Sequence, residues 1–516
     1  MGTTPSDYSA PGSTQTYAAP GNGWQDTRPP QAPPSGRRSA LRWVVPTVAA
    51  VAVLGGGAFG ALTLLGGGQP DEVIPANAIA YLRLDMDPSL GQKAAAVRFL
   101  HDVPGLGDTL SDGDVRQDLF DRFKEQEPQL KDVSYQRDIA PWLGDRLGVA
   151  VLPPAFGEPD PSLLVAVQVT DEDKARAELP GLFPAADRPD ITFRDGYALL
   201  IDKGQKSWLN SYLADGRLAD DPEYQSDMAA LGEQGVFSGW MDLRQVNRLS
   251  NSSTPAGLER AAGRLGRTAF ALRFDSDYIE LAGVGRDMKG INKLLPATGG
   301  TSSHLADLPA DTAFAAELIR PDLGVRTLWK ALDASGVTMQ GGFQQEVATI
   351  EQAFGLQLPQ DLETLVGKRL TIAAPAQDLT GAGTPTVGAR VQTKARQAER
   401  ILDRIDRRLQ PGGTSLPVRH RAKDGELFVA TSNRYLQQLT RPGTLGDQPL
   451  FRTAVADSAN ADTAVFVNLD EVERQYLSDI EDKDVRALVE NLDAVGFSGS
   501  LQDGNAVTYS VRLVGD

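Results

Sequence analysis

Few side chains in this sequence have the type and spacing that metal binding or catalysis requires. The 516-residue chain contains three histidines, His101, His304 and His420, and no cysteine. No histidine belongs to an H-x-x-H or H-E-x-x-H arrangement, which would place two zinc ligands close together on a helix. Without cysteine, thiol nucleophiles and thiolate-bound metals are also excluded. We therefore predict no catalytic residue, no metal ligand and no cofactor.

Two glycine-containing stretches come close to known motifs but have the wrong spacing. Residues 496–500, GFSGS, differ from the G-x-S-x-G nucleophile elbow and occur where a strand is expected. Residues 381–388, GAGTPTVG, lack both the Lys-Ser/Thr of a P-loop and the spacing of a dinucleotide fingerprint. We interpret the first stretch as part of a strand and the second as a loop between strands.

Paired carboxylates offer a third kind of chemistry. Residues 85–87, Asp-Met-Asp, precede Pro88, and two carboxylates on such a loop could hold a hard cation such as Ca²⁺. A helix N-cap is the simpler interpretation, because an Asp followed by Pro favours a helix start. We interpret the acids of residues 112–114 and 171–173 in the same way, as a turn and a helix start.

Aromatic residues mostly occur inside strand-like phrases, which favours core packing. The residues in question are Trp142, Trp208, Trp240, Phe314, Phe428 and Phe466. The alternative is a hydrophobic groove between structural layers, which would bind a lipid or polyprenyl-type molecule.

The elements that must position these residues begin with a predicted membrane span. The stretch from Trp43 through Leu54 to Leu65 contains no charge. At about 1.5 Å per residue it is roughly 35 Å long as a helix, enough to cross a hydrocarbon core of about 30 Å. We predict a transmembrane helix at residues 41–66. Residues 1–40, rich in Pro, Gly, Ser and Thr, are predicted to be a disordered tail.

Charged residues beside the span predict its orientation. Arg37, Arg38 and Arg42 precede it, whereas the first charges after it are Asp71 and Glu72. By the positive-inside rule, the N-terminus is cytoplasmic and the rest of the chain is extracytoplasmic, in the cell envelope. The span is longer than a signal-peptide core and no cleavage site follows it, so we expect an uncleaved signal-anchor in the cell membrane.

One face of the span has small residues at regular spacing. Ala52, Gly56 and Gly60 follow one another at intervals of four, the small-xxx-small pattern that lets two helices approach closely. This pattern predicts a homodimer that pairs through the span.

The charge balance limits the partners. The net charge is −17, and an acidic exterior argues against nucleic acid or anionic lipid bound through a basic face. Without disulfides, the exported part must be stabilised by its own hydrophobic core, which its length allows.

Phrases of the sequence recur in the same order in two halves. Residues 75–296 form the first repeat and residues 309–516 the second, with a short tether at 67–74 and a Gly/Ser/Thr-containing linker at 297–308. Matching phrases include Pro75–Asp85 with Pro309–Leu318, Gly144–Ala150 with Gly367–Ala373, Phe193–Ile201 with Arg421–Ala430, and Gly239–Leu243 with Val465–Leu469. Phrases that recur in the same order in two long stretches of sequence predict an internal duplication.

Each repeat alternates hairpin-forming strands with amphipathic helices. Asp-Gly at residues 195–196 and 424–425 separates apolar runs, a strong hairpin signal. We therefore predict an α+β fold of two duplicated repeats with largely antiparallel sheets. The sequence is compatible with one pseudo-symmetric body or with two separate domains.

A single N-terminal span followed by Pro75–Leu100 and Asp138–Pro153 resembles a bacterial family catalogued as domain of unknown function 3352, found in actinobacterial membrane proteins. The resemblance covers about residues 71–516. It implies a membrane location and assigns no activity and no site residue.

These observations predict a non-enzymatic envelope component that binds a protein or acts as a scaffold. A lipid or cell-wall-precursor binding module is the first alternative, and a hydrolase with unassigned carboxylates is the second. A lipid carrier would have a continuous apolar cavity, an enzyme a pocket with close carboxylates, and a scaffold an exposed apolar patch.

Overall fold

A computed structural model describes the chain from residue 68 to residue 515. Gaps occur at residues 87–88, 101–115, 118–119, 122–123, 125–129, 159, 250–265, 290–302, 335–340, 379–383, 411–414, 472–476, 478–479, 482–485, 487–488 and 503–504. The predicted tail, the span from Trp43 through Leu54 to Leu65, and its pairing face of Ala52, Gly56 and Gly60 lie outside the described residues. Every helix that the structure describes is too short or too polar to cross a bilayer.

The described strands form one antiparallel sheet of sixteen strands. In chain order they are β1 (Ala80–Asp85), β2 (Leu143–Pro154), β3 (Pro161–Val169), β4 (Asp190–Arg194), β5 (Tyr197–Ile201), β6 (Phe237–Asp242), β7 (Arg267–Phe274), β8 (Tyr278–Arg286), β9 (Thr312–Ile319), β10 (Arg369–Pro375), β11 (Gly388–Gln392), β12 (Arg419–Lys423), β13 (Glu426–Ala430), β14 (Thr463–Asn468), β15 (Leu492–Gln502) and β16 (Ala506–Gly515). The predicted α+β class with an antiparallel sheet is confirmed.

Helices connect the strands and cover both faces of the sheet. They are α1 (Leu90–Leu100), α2 (Glu172–Glu178), α3 (Lys206–Asp215), α4 (Pro222–Leu231), α5 (Leu243–Leu249), α6 (Pro321–Ala334), α7 (Gly341–Phe354), α8 (Gln360–Val366), α9 (Ala395–Leu409), α10 (Asn433–Leu439) and α11 (Pro449–Ala454). Several begin at caps: Asp221 accepts from the Tyr224 backbone N–H at α4, and Ser432 accepts from that of Tyr435 at α10.

The strand order is the same on the two sides of the β8–β16 pair. Counted outward, one side reads β8-β7-β6-β1-β2-β3-β5-β4 and the other β16-β15-β14-β9-β10-β11-β13-β12. The two predicted Asp-Gly hairpins join β4 to β5 and β12 to β13. Asp195 and Asp424 adopt φ values of +48° and +52°, with Gly196 and Gly425 also positive, as a type I′ turn requires.

One face of the sheet, the small-residue face, packs beneath helices in both halves. Ala271, Ala282, Ala464 and Ser498 lie on this face and are buried. Helix α4 covers β7 and β8, and helix α11 covers β15 and β16. A Cβ on Gly496 would collide with the backbone of α11, so this glycine permits the close approach of the helix. The small side chains of this face allow α4 and α11 to pack close to the sheet.

The segment predicted as a tether packs onto the first half. Val73 and Ile74 are fully buried in its core. The carbonyl oxygen of Gly68 accepts a hydrogen bond of 2.7 Å from the Tyr197 hydroxyl. The chain is therefore fixed to the sheet from residue 68 onward.

A buried carboxylate joins the two halves at the β8–β16 seam. Glu280 accepts hydrogen bonds from Ser510 (2.7 Å), Arg512 (3.0 Å) and Arg273 (3.0 Å). The Arg512 guanidinium also lies 4.0 Å from the ring centre of Tyr278. Burial raises the pKa of Glu280, but the hydrogen bonds from Ser510 and Arg512 and the charge of Arg512 outweigh it, so its pKa lies below the usual range.

Replacing Glu280 by Ala should destabilise the whole sheet. The change leaves two partly buried arginines without their shared carboxylate; breaking a fully buried pair costs about 3–5 kcal/mol, and we expect about 2–3 kcal/mol here. Urea unfolding of the full chain, followed by tryptophan fluorescence, measures the loss. The control is Glu172→Ala, which removes an exposed pair with Arg176 and should change stability by about 0.5 kcal/mol or less. Equal losses for both variants would contradict a structural role for the seam.

The contribution of Glu280 should also depend on pH. Because its folded pKa is lowered, the stabilisation is present above the ordinary glutamate pKa and is lost as the pH falls through the lowered folded value. The stability difference between the wild type and Glu280→Ala should therefore shrink at acidic pH. A difference that grows on acidification would show that the carboxylate is not stabilised in the folded state.

Candidate functional site

The face of the sheet opposite the small-residue face is lined by large apolar side chains, and we call it the apolar face. One row of directly paired residues crosses every strand. From β4 to β12 it reads Phe193, Ala198, Val167, Leu147, Leu84, Phe237, Leu272, Leu281, Val511, Phe497, Val465, Ala316, Ile372, Ala389, Val429 and His420. Only the last member is polar.

A second apolar row runs beside the first over the central strands. It consists of Phe274, Ile279, Leu513, Val495, Val467, Phe314 and Ala374. Neither row contains a charge on β7, β8, β16, β15, β14 or β9, which we call the central strands. At about 4.8 Å between neighbouring strands, this uncharged surface is roughly 24 Å wide.

The apolar face is covered at its ends, is also covered by α1 where Phe99 packs with Phe274 on β7, and is partly exposed over the remaining central strands. Trp142 and Leu179 belong to the cluster over β2, β3 and β5, whereas Leu365 and Leu402 pack over β10, β11 and β13. Between these covers, Leu281, Phe314 and Leu318 remain 39%, 37% and 46% exposed. Exposed large apolar side chains at this position are unusual, since the solvated face of an antiparallel sheet is normally polar.

Glycines flatten the apolar face beneath aromatic rings. A Cβ on Gly239 would lie 2.5 Å from Cζ of Phe270, and a Cβ on Gly283 would collide with the ring of Tyr509. Each ring therefore lies over a glycine on the neighbouring strand. The rings thus fill the space that side chains would occupy at these glycines and add to the apolar surface.

Two helices of the second half carry apolar stripes that are not buried. On α6, Leu328 is 63% exposed, and on α7, Ile350 is 42% exposed. The rings of Trp329 and Phe343 contact each other with centres 6.2 Å apart, so the two helices face one another. Each helix therefore adds one large exposed apolar side chain to the surface of the second half.

The described histidines lie apart and contact carboxylates. Nδ1 of His304 is 3.5 Å from Glu426, and Nε2 of His420 is 3.0 Å from Asp403. Burial, and next the positive charge of Arg390, lower the pKa of His304. His420 lies on β12, while His101 is outside the described residues. Within the described ranges, no group of His, Asp and Glu could hold a metal ion.

Buried carboxylates in both halves are bound by donors. Glu317 accepts from Arg369 (2.5 Å), Thr371 (2.8 Å) and the backbone N–H of His304 (3.0 Å). In the first half, Asp227 accepts from the side chain of Arg267 at 2.7 Å. Carboxylates held in this way by cations and hydrogen bonds fix the positions of neighbouring strands and helices.

The acidic and glycine-containing motifs have structural roles where they are described. Asp171 caps α2 by accepting from the Lys174 backbone N–H at 3.1 Å, which confirms the predicted helix start. Asp85 pairs with Arg83 on β1, whereas Asp87, residues 112–114 and residues 381–383 lie outside the described part. Residues 496–500 belong to β15, as predicted.

Five of the six aromatic residues expected in the core lie there or pack against it. Trp142, Trp240, Phe428 and Phe466 are buried, and Trp208 is partly buried beside the first core. The prediction was wrong for Phe314, which is 37% exposed on the apolar face. A strand places alternate residues on opposite faces, and the sequence does not reveal that one face of β9 is incompletely covered.

A sequence comparison relates the N-terminal part of the chain to one family. Residues 45–208 match the family described as "Protein of unknown function (DUF3352)", so the N-terminal part of the described fold is similar to that family. No curated protein matches the chain. Crystal forms III and I of TP0453 align with 45% of this chain and 88% of that protein, at 11% and 10% identity and TM-scores of 0.23 and 0.22. At these TM-scores, the alignments do not relate the fold or the function of this chain to that of TP0453.

Replacing Gly283 by Ala should destabilise the apolar face. The new methyl group collides with the ring of Tyr509, and overpacking of this kind costs about 1–3 kcal/mol. Gly324→Ala is the control, because nothing lies within 4 Å of a Cβ at that helical position; it should be neutral or stabilising. Urea unfolding compares the two variants. An unchanged stability of Gly283→Ala would refute the stacked-ring geometry.

Proposed function

We propose that this protein is a membrane-anchored, non-enzymatic envelope component that holds the hydrocarbon chain of a lipid against its apolar face. The observation that carries the proposal is the uncharged central surface, which stays partly exposed although it lies in the middle of a large sheet. Lipid binding, the first alternative from the sequence, thereby takes precedence over a protein scaffold.

The proposed anchor is the predicted helix at residues 41–66, with a disordered cytoplasmic tail before it and the folded part outside the cell membrane. Gly68 is bonded to Tyr197, so only a few residues separate the end of the span at Leu65 from the fixed part of the fold. The sheet is therefore held beside the bilayer, where lipids are most concentrated. The resemblance to an actinobacterial family favours the same envelope location.

Two properties of the apolar face favour a hydrocarbon ligand. Its two central rows offer no charge and no strong hydrogen-bonding group, so binding depends on apolar area alone. Its width of roughly 24 Å exceeds the roughly 15 Å spanned by the lipid chains of one leaflet. Helix α1 packs on β7, so an acyl chain would contact the strands from β8 to β9, which together are about 19 Å wide at about 4.8 Å per spacing.

We also propose that the two halves arose by duplication and form one pseudo-symmetric body. One cross-strand row on the small-residue face contains residues from both halves. At equal distances from the seam, this row has the residues that the repeated phrases align with each other. Counted outward from the seam, Ala271 corresponds to Ser498, and Ser238 to Ala464. Next, Arg83 corresponds to Glu317. The same strand order on both sides of the seam supports this proposal.

A protein partner remains the second candidate, because α6 and α7 present Leu328 and Ile350 to solvent. Paired amphipathic helices with exposed stripes are a common docking surface. This candidate places the partner on the helices rather than on the strands, so the two can be separated by mapping where a ligand binds.

Photo-crosslinking tests the lipid proposal. The full chain is placed in phospholipid nanodiscs with a diazirine on the acyl chain, and crosslinked peptides are identified by mass spectrometry. We expect crosslinks on peptides from β8, β16 and β9. The double variant Leu281→Asp and Phe314→Asp should reduce them roughly fivefold or more, because charges are costly beside hydrocarbon.

The control is Phe156→Asp, which changes a fully exposed residue after β2 and should leave the crosslinks unchanged. Crosslinks confined to residues 43–65 would disprove lipid binding on the apolar face and leave the anchor intact. Crosslinks confined to α6 and α7 would favour the helices as the binding surface instead.

A further inference from the structure

Positive charge is concentrated at one end of the acidic chain. Residues 394–441 contain 11 Lys and Arg against five Asp and Glu, a net charge of +6 in a chain whose net charge is −17. The remaining residues therefore carry −23. The corresponding stretch of the first half, residues 171–217, has seven basic and nine acidic residues, a net charge of −2.

The fold brings this positive charge to one edge of the sheet. Residues 394–441 include α9, the strands β12 and β13, and α10, and β12 is the terminal strand. Helix α9 packs beside β12, where Asp403 contacts His420 at 3.0 Å. We call this region the basic edge.

Several arginines of the basic edge are exposed and have no partner among the described residues. Arg396, Arg400 and Arg407 fall on one stripe of α9 and are exposed. Arg419 and Arg421 are exposed on β12, on the side of the strand away from His420. None of the five forms an ion pair or hydrogen bond with the described residues. The charges thus lie on both sides of the terminal strand.

Protection of the sheet edge explains only part of this pattern. Charged residues on a terminal strand prevent pairing with other chains, which accounts for Arg419 and Arg421. It does not account for Arg396, Arg400 and Arg407, which lie on a helix. The opposite terminal strand, β4, has no comparable concentration of positive charge.

We propose that the basic edge binds the anionic lipid headgroups of the membrane surface as a second point of attachment, a proposal that rests on the proposed membrane anchor. Each exposed Lys or Arg near an anionic bilayer adds favourable binding, whereas the acidic remainder is repelled. The electrostatic force therefore selects this edge out of the whole surface.

The geometry allows both attachments at once. Gly68 is fixed near β2 and β5, since its carbonyl accepts from Arg146 and Tyr197. From β2 to β12 there are twelve strand spacings, or at most about 58 Å measured along the sheet at about 4.8 Å each. The sheet must then lie along the bilayer rather than stand on it. Because arginines project on both sides of β12, the edge reaches the headgroups in that orientation.

Fluorescence quenching tests the proposal, and the absence of natural cysteine allows clean single-site labelling. A fluorophore is attached at Gln392→Cys near the basic edge, or at Ala186→Cys in the opposite half; both positions are exposed. The full chain is reconstituted in vesicles of neutral phosphatidylcholine or of the same lipid with phosphatidylglycerol, each with a headgroup-linked quencher. We expect quenching at residue 392 in anionic vesicles only, reversed by about 0.5 M NaCl.

Charge removal supplies the specific test. Arg396→Gln, Arg400→Gln and Arg407→Gln together should lower the ratio of docked to free edge at least about tenfold. The control is the triple variant Lys174→Gln, Arg188→Gln and Lys203→Gln, which removes the same charge from the first half and should have no effect. Quenching unaffected by the first triple variant, or equal at residues 186 and 392, would overturn the proposal.

Flotation and quenching distinguish a failure of the membrane anchor from a failure of the basic edge. If the anchor is wrong, the full chain will not float with neutral vesicles. If only the basic edge is wrong, the chain will float with both kinds of vesicle, and residue 392 will remain unquenched in the anionic ones. An acidic protein as the true partner would give this second result.

Discussion

The antiparallel pairing of β8 with β16 is the contact on which the rest of the structure depends. Each half ends in one of these strands, and their ladder turns two eight-stranded sheets into one. Glu280 secures the ladder because it binds Ser510 and Arg512 from the other half. Without this pairing, the central rows of the apolar face would be divided between two separate edges, and no continuous surface would exist.

On the strands nearest the seam, β7, β8, β15 and β16, the two faces of the sheet differ in the size of their side chains, and this difference determines how closely helices approach each face. Alanine and serine on one face let α4 and α11 approach closely, which buries that face in both halves. The other face uses leucine, valine and phenylalanine, including Leu281 and Phe314, that stay partly exposed. Large apolar side chains are costly in water unless something covers them. A lipid chain would lower that cost, which is why we connect the exposed centre with function.

The sequence predicted the local elements well, because hairpins and alternation are local signals. Asp195-Gly196 and Asp424-Gly425 identified two hairpins, and Asp171 identified a helix start. The sequence could not predict that the two halves share a sheet, since pairing of distant strands depends on register over the whole fold. The exposed position of Phe314 was missed for the same reason. The basic edge was detectable from sequence by counting charge in windows, but the average of −17 obscured it.

The proposed duplication explains why the two kinds of surface occur in different places. The apolar face requires both halves, because its centre is the seam, so mutations in either repeat would be constrained there. The ends of the sheet belong to one repeat each and are free to diverge: one is nearly balanced in charge, the other is strongly basic. Because the two ends of the pseudo-symmetric sheet carry different charges, a charged membrane surface can distinguish one end from the other. A protein tethered at one end and attracted at the other would present its central apolar face to the bilayer in one orientation rather than many.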